Sequence, residues 1–203
     1  MLRQHCCMAI KILIHKKLCN SVISAPYIFD QEMMRKFQQA GDLMMQYNQT
    51  NETQQEIRQK ILTRLIGNLG KNVLIIPAFR CQYGSNIELE DNVIVNFNCT
   101  FMDNTTIHIG HNTLIGPNCS LYTVNHAIDP DERERGFCKD SPIYIGSRVW
   151  LGGNAVIMPG VSIGDDSIIG AGSVVTKDIP GGVIAVGNPC RVLRPIDTKD
   201  RWL

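Results

Sequence analysis

None of the eight cysteines in this sequence forms a CxxC pair, so the chain offers neither a zinc-ribbon pattern nor a thioredoxin-like redox motif. Aromatic residues are scarce, at 6%, which leaves aliphatic side chains to fill the core. Neither sign of charge is in excess: 20 Lys and Arg face 19 Asp and Glu. That balance argues against nucleic acid or an anionic membrane as the principal partner. Long apolar runs are also missing. The N-terminal stretch MLRQHCCMAIKILIHKKLCNSVISAP is interrupted by Lys11 and closed by His15, Lys16 and Lys17, too short to span a bilayer and without a signal-type cleavage site. Residues 1–25 read as an extension ordered only by packing or not ordered at all, with a basic membrane-surface segment as the alternative.

What the chain does have is a period of six. Ile145, Leu151, Ile157, Ile163, Ile169 and Val175 open six consecutive blocks, each followed four places later by a compact residue (Val149, Ala155, Val161, Ser167, Ser173, Ile179). Glycine fills the second place at Gly146, Gly152, Gly164 and Gly170. No helix or ordinary hairpin repeats in this way. The pattern predicts a mainly β protein, a left-handed parallel β-helix in which three blocks form one triangular coil and coils stack at roughly 4.8 Å. A weaker form of the phase runs from Ile87 through Leu89, Val95 and Phe101, then shifts by two to Ile109, Ile115 and Leu121.

Cys99 and Cys119 fall at the compact fifth place of their blocks, and the cysteines, Cys138 among them, read as small buried hydrophobes in a reducing compartment. The charged segment 127–142 breaks the pattern and is expected to leave the prism as a loop long enough to act as a functional cover. Ahead of the prism, residues 26–70 predict two helices. Asp30 caps the first, and Thr53 with Glu56 forms a capping-box pattern for the second, which Gly67 stops. The β-helix is expected over 71–195, with a polar tail at 196–203.

Chemistry is suggested first by His126, immediately before the charged loop, since a neutral imidazole near pH 7 can take a proton from a hydroxyl. Taken singly, His126 also reads as an ordinary surface histidine, Asn96 as a turn residue, Trp150 as a packed aromatic, and Arg191 and Arg194 as a solvated face.

Together they sit in a recognisable pattern. NVIVNFNCTFMD, IGHNTLIGPNCSLYTVNHAIDP, RVWLGGNAVIMPGVSIGDDSIIGAGSVVTKDIP, VGNPCRVLR and FRCQYGSNI strongly resemble the maltose and galactoside O-acetyltransferase family over about residues 30–195. The resemblance implies a left-handed β-helix, a trimer, and acetyl-CoA held in clefts between neighbouring prisms, with no metal and a cytoplasmic location. It gives His126 the role of general base and places Asn96 beside the reacting centre. It assigns Trp150, Gly153, Ala171, Thr176, Lys177, Arg191 and Arg194 to acetyl-CoA, the arginines at its nucleotide end.

The acceptor side departs from the family. Ile28 stands at or near an acidic position, with Asp30 as a substitute or simply a helix cap, Gln82 stands for an Asp of the maltose-type members, and Asn104 for a second Asp of the galactoside type. The resemblance thus implies an O-acetyltransferase acting on a hydroxyl of a sugar or related small acceptor. The alternatives are an antibiotic or oligosaccharide acceptor, a zinc-dependent β-helix hydratase using His108, His111 and His126, and a non-catalytic scaffold. For the hydratase, the spacing of His108 and His126 puts them at one corner of successive coils unless an insertion intervenes.

Overall fold

A computed structural model describes residues 25–202. Most of them form a three-faced parallel β-solenoid of about six turns. Face I stacks strands through the partners Leu69, Leu89, Ile109, Ile145 and Ile163. Face II continues through Ile75, Val95, Ile115, Leu151, Ile169 and Ala185. Face III runs through Cys81, Phe101, Leu121, Ile157 and Val175. These residues are the inward positions of the six-residue phase, and all but Leu69 are buried. The phase therefore reaches back to Leu69, a full coil before Ile87.

The coils are not equal in length, and the difference falls on one edge. Between faces III and I, eight residues separate Cys81 from Leu89 and Phe101 from Ile109, whereas six separate Ile157 from Ile163. Between Leu121 and Ile145 the same edge ejects a longer excursion. Every insertion therefore leaves the prism at edge III–I. The edge between I and II instead turns through left-handed residues Asn72, Asn92, Asn112, Arg148 and Asp166. Asn and Asp tolerate this conformation because their short side chains bond locally.

Two helices, α1 (Gln31–Asn48) and α2 (Gln55–Leu65), close the first coil. Tyr47 Oη donates to the carbonyl of Ile75, and Asn48 exchanges hydrogen bonds with Phe79 N–H and C=O at 2.9 Å each. Asp30 caps α1 through a 2.8 Å bond from Met33 N–H, as its sequence position predicts. The expected Thr53–Glu56 capping box does not form. Gln54 is the N-cap but its side-chain oxygen accepts from Asn51 N–H at 3.0 Å instead of capping, and the Thr53 hydroxyl is turned back to Asn51 Oδ1 at 2.7 Å. At the other end Arg191–Pro195 folds back antiparallel on Val183–Val186 and covers the last parallel strand of face II. The expected extension at the N-terminus lies outside the described residues apart from Ala25.

Candidate active site

The segment 127–142 is not the bare loop its charge pattern predicts. Val124–His126 pairs antiparallel with Cys138–Asp140, and a short helix α3 (Pro130–Glu134), capped by Asp129, turns the hairpin at its tip. A third strand position comes from the N-terminus: Tyr27 N–H and C=O bond to Cys138 at 2.9 and 2.8 Å. His126 is thereby fixed opposite Cys138 in register, exposed, with its Nδ1 3.3 Å from Cys138 Sγ.

Beneath this hairpin lies a polar cluster. Tyr27 Oη donates to Asp140 Oδ1 at 3.0 Å and accepts from Asn104 Nδ2 at 3.2 Å. Burial raises the pKa of both Tyr27 and Asp140; their mutual hydrogen bond opposes the shift at Asp140 and adds to it at Tyr27. Burial, with a smaller contribution from Asp140, also pushes the Cys138 thiol up. Gln82 sits on the same edge, one coil below, where Asp103 accepts from the backbone N–H of Gln82 and Tyr83 at 2.8 Å and of Asn86 at 3.2 Å. Asp103 is fully buried, and burial pushes its carboxyl up to about 6 against the pull of those donors. Thr176 and Lys177 lie exposed further along edge III–I, beyond Val175.

The other predicted residues gather on the next edge, between faces II and III. Successive coils stack there through Asn96 N–H to Ile115 C=O, Gly116 N–H to Leu151 C=O and Gly152 N–H to Ile169 C=O, at 2.7–2.9 Å. Glycine is required at two of these levels. A Cβ at Gly116 would meet Gly153 N at 2.6 Å, and one at Gly152 would meet Ala171 N at 2.5 Å. Gly153 accepts at its carbonyl from Gly172 N–H at 2.9 Å, while among the described residues its own N–H has no backbone acceptor.

Face II carries an outward apolar ladder of Leu74, Ile94, Leu114, Trp150, Ile168 and Ile184 that ends in Arg194. Trp150 is 52% exposed. Arg191 is exposed opposite Val186, whereas Arg194 is held by a bidentate pair with Asp200 at 2.7 and 2.8 Å.

The predicted residues thus divide into two groups on different edges. Gln82, Asn104, His126, Thr176 and Lys177 stand on edge III–I. Asn96, Gly153 and Ala171 stand on edge II–III, beside Trp150 and the arginines of face II. Asp30 caps α1, and its charge also helps to raise the pKa of Tyr83, the neighbour of Gln82. The stacking of His108 above or below His126 does not occur, because the intervening insertion displaces them. His108 projects from face I between Glu88 and Tyr144, with Glu88 at 3.2 Å, and His111 follows at the next edge. Among the described residues no group of three or more His, Cys, Asp or Glu is arranged to hold a metal ion, and no helix is long and apolar enough to cross a membrane. The place of Cys138 beside His126, and Asp140 altogether, went unread in the sequence because they lie in a segment whose charge conceals a strand.

Residues 142–177 match the family model "Bacterial transferase hexapeptide (six repeats)", and residues 25–70 match "Maltose acetyltransferase hexapeptide capping motif". The galactoside O-acetyltransferase of Lactococcus lactis is 40% identical over 172 residues, 84% of this chain and 83% of its own. That of Escherichia coli is 43% identical over 159 residues, 78% of each chain. The chain belongs to the maltose and galactoside O-acetyltransferase family.

Among solved members of the family, the maltose O-acetyltransferase of Clostridium difficile superposes with a TM-score of 0.83 at 42% identity, covering 85% of this chain and 92% of its own. A galactoside acetyltransferase in complex with coenzyme A gives 0.83 at 39%, covering 86% and 88%. The capping match coincides with the two helices that close the first coil, so the capping family's signature is the physical closure of the solenoid's N-terminal end.

Proposed function

We propose that the protein is an acetyl-CoA-dependent O-acetyltransferase that acts on a hydroxyl of a sugar or related small acceptor, by direct transfer within a homotrimer. One observation carries this reading: every insertion of the solenoid leaves at the edge that holds His126, while the adjacent edge presents a glycine-lined strip with the N–H of Gly153, which is unengaged among the described residues. His126 Nε2 takes the acceptor's hydroxyl proton as the oxygen attacks the thioester carbonyl. The Gly153 N–H holds the oxyanion, and the thiolate of CoA leaves with the proton from His126. Relatives bound to CoA or acetyl-CoA support the donor.

The division into two edges supports the trimer. A face spans about five residues at roughly 3.3 Å each, so edges of one prism stand about 15 Å apart, beyond the reach of one reacting centre. In a closed threefold ring the His126 edge of one protomer meets the Asn96 edge of its neighbour. The outward ladder from Leu74 to Ile184 supplies apolar surface for such contacts.

Acetyl-CoA offered with a panel of sugar and antibiotic hydroxyl acceptors, read by thiol release, tests the activity. His126→Ala is expected to lose on the order of a hundredfold to ten-thousandfold in turnover with acetyl-CoA binding nearly intact. Near-native turnover would remove His126 from the mechanism.

A further inference from the structure

The imidazole of His126 has two nitrogens, and general-base action needs one bare and directed at the acceptor. Its Nδ1 is 3.3 Å from Cys138 Sγ, and the same sulfur is 3.6 Å from the carbonyl of Gly136. The contact is built rather than incidental. Cys138 is buried, bonded through its backbone to Tyr27 and in register with His126. Its strand position therefore cannot move without breaking pairs on both sides. Burial and the nearby Asp140 keep the thiol protonated.

A neutral thiol has one weak hydrogen to give and a sulfur that accepts weakly. With Gly136 C=O taking the S–H hydrogen, the sulfur remains as an acceptor for Nδ1–H. The opposite arrangement, S–H donated to Nδ1, would protonate Nε2 and leave no base.

We infer that Cys138 is the positioning residue of His126: its thiol, directed at the Gly136 carbonyl, receives the Nδ1–H hydrogen bond and leaves Nε2 bare toward the acceptor. The inference rests on His126 being the base. It carries a consequence that a carboxylate at position 138 would reverse. A neutral sulfur selects the tautomer without stabilising the imidazolium, so the base stays available to lower pH than a carboxylate neighbour would allow.

The other ionisable groups around the pair are Tyr27 and Asp140, bonded to each other, Lys139, exposed beside Asn125, and Arg133, which donates to the carbonyls of Ala127 and Ile128 at 3.0 and 2.9 Å. A substitution at position 138 alone alters none of these groups chemically.

Nitrogen-15 NMR of histidine-labelled wild-type protein reads the tautomer without any assay. His126 is expected as the Nδ1–H form, and an Nε2–H form overturns the inference. Cys138→Ser should keep the tautomer and turnover. Cys138→Ala should mix the tautomers and lower kcat about three- to tenfold while leaving the KM for acetyl-CoA unchanged. Cys138→Asp should move the acid limb of the pH–rate profile up by about one unit or more. If His126→Ala is inactive but the tautomer and profile ignore position 138, the positioning role falls and the base stands. If His126→Ala is active, the base itself falls.

Discussion

Asp103 Oδ1 accepts a 2.8 Å hydrogen bond from the backbone N–H of Gln82, one coil below it. The same carboxylate takes Tyr83 and Asn86, so a single buried side chain fixes the insertion that presents Gln82 at edge III–I.

Asp103 gives the fold a pH signature. Its folded pKa is raised to about 6 from 3.8, so the stabilising contribution is complete below about pH 4 and is lost as the pH rises through about 6. Denaturant unfolding between pH 4 and pH 7 should show wild-type stability falling by about 2 to 3 kcal/mol relative to Asp103→Asn, which does not titrate. Parallel curves for the two proteins would show that the burial of Asp103 is offset by its donors.

The separation of Asn96 from His126 predicts complementation. Asn96→Ala and His126→Ala should each be inactive alone. After unfolding and refolding together in equal amounts, the mixture should regain about a quarter of wild-type activity, because about one interface in three of each mixed trimer, and about a quarter of all interfaces, unites one intact edge of each kind. Mixtures that stay inactive, with mixed trimers verified by mass spectrometry, would place both residues in a site within one protomer.

The amides Gln82 and Asn104, at positions where the family resemblance places acceptor contacts, predict weak use of simple sugars. A carboxylate accepts a stronger hydrogen bond from a sugar hydroxyl than an amide does. Gln82→Asp should therefore improve kcat/KM for maltose by roughly 5- to 150-fold, equivalent to about 1 to 3 kcal/mol, with the KM for acetyl-CoA unchanged. A wild-type protein that already acetylates maltose efficiently would contradict this division of the site.

The pair between Arg194 and Asp200 predicts competition at the nucleotide end. Arg194 lowers the Asp200 carboxyl to about 2, so the acid is ionised at any working pH and holds the guanidinium that the family resemblance assigns to a phosphate. Calorimetry should give a Kd for CoA about two- to fivefold lower in Asp200→Asn, and a higher one in Arg194→Ala. An unchanged Kd in both variants would remove Arg194 from the nucleotide site.

The six-residue phase determined the solenoid from sequence alone, down to inward side chains such as Ile115, Leu151 and Ile169, because a strand that must turn every block repeats its burial locally. The motifs around His126, Asn96 and Trp150 were legible through resemblance, since a motif is local too.

Tertiary structure alone decided which edge each residue occupies, for that depends on the count of inserted residues accumulated over coils. It alone paired Cys138 with His126, through a hairpin whose register a charged segment concealed. And it alone brought Tyr27 to Asp140, a bond spanning 113 residues. No local pattern encodes such a contact, because its free energy comes from packing the chain's beginning against an excursion of its middle.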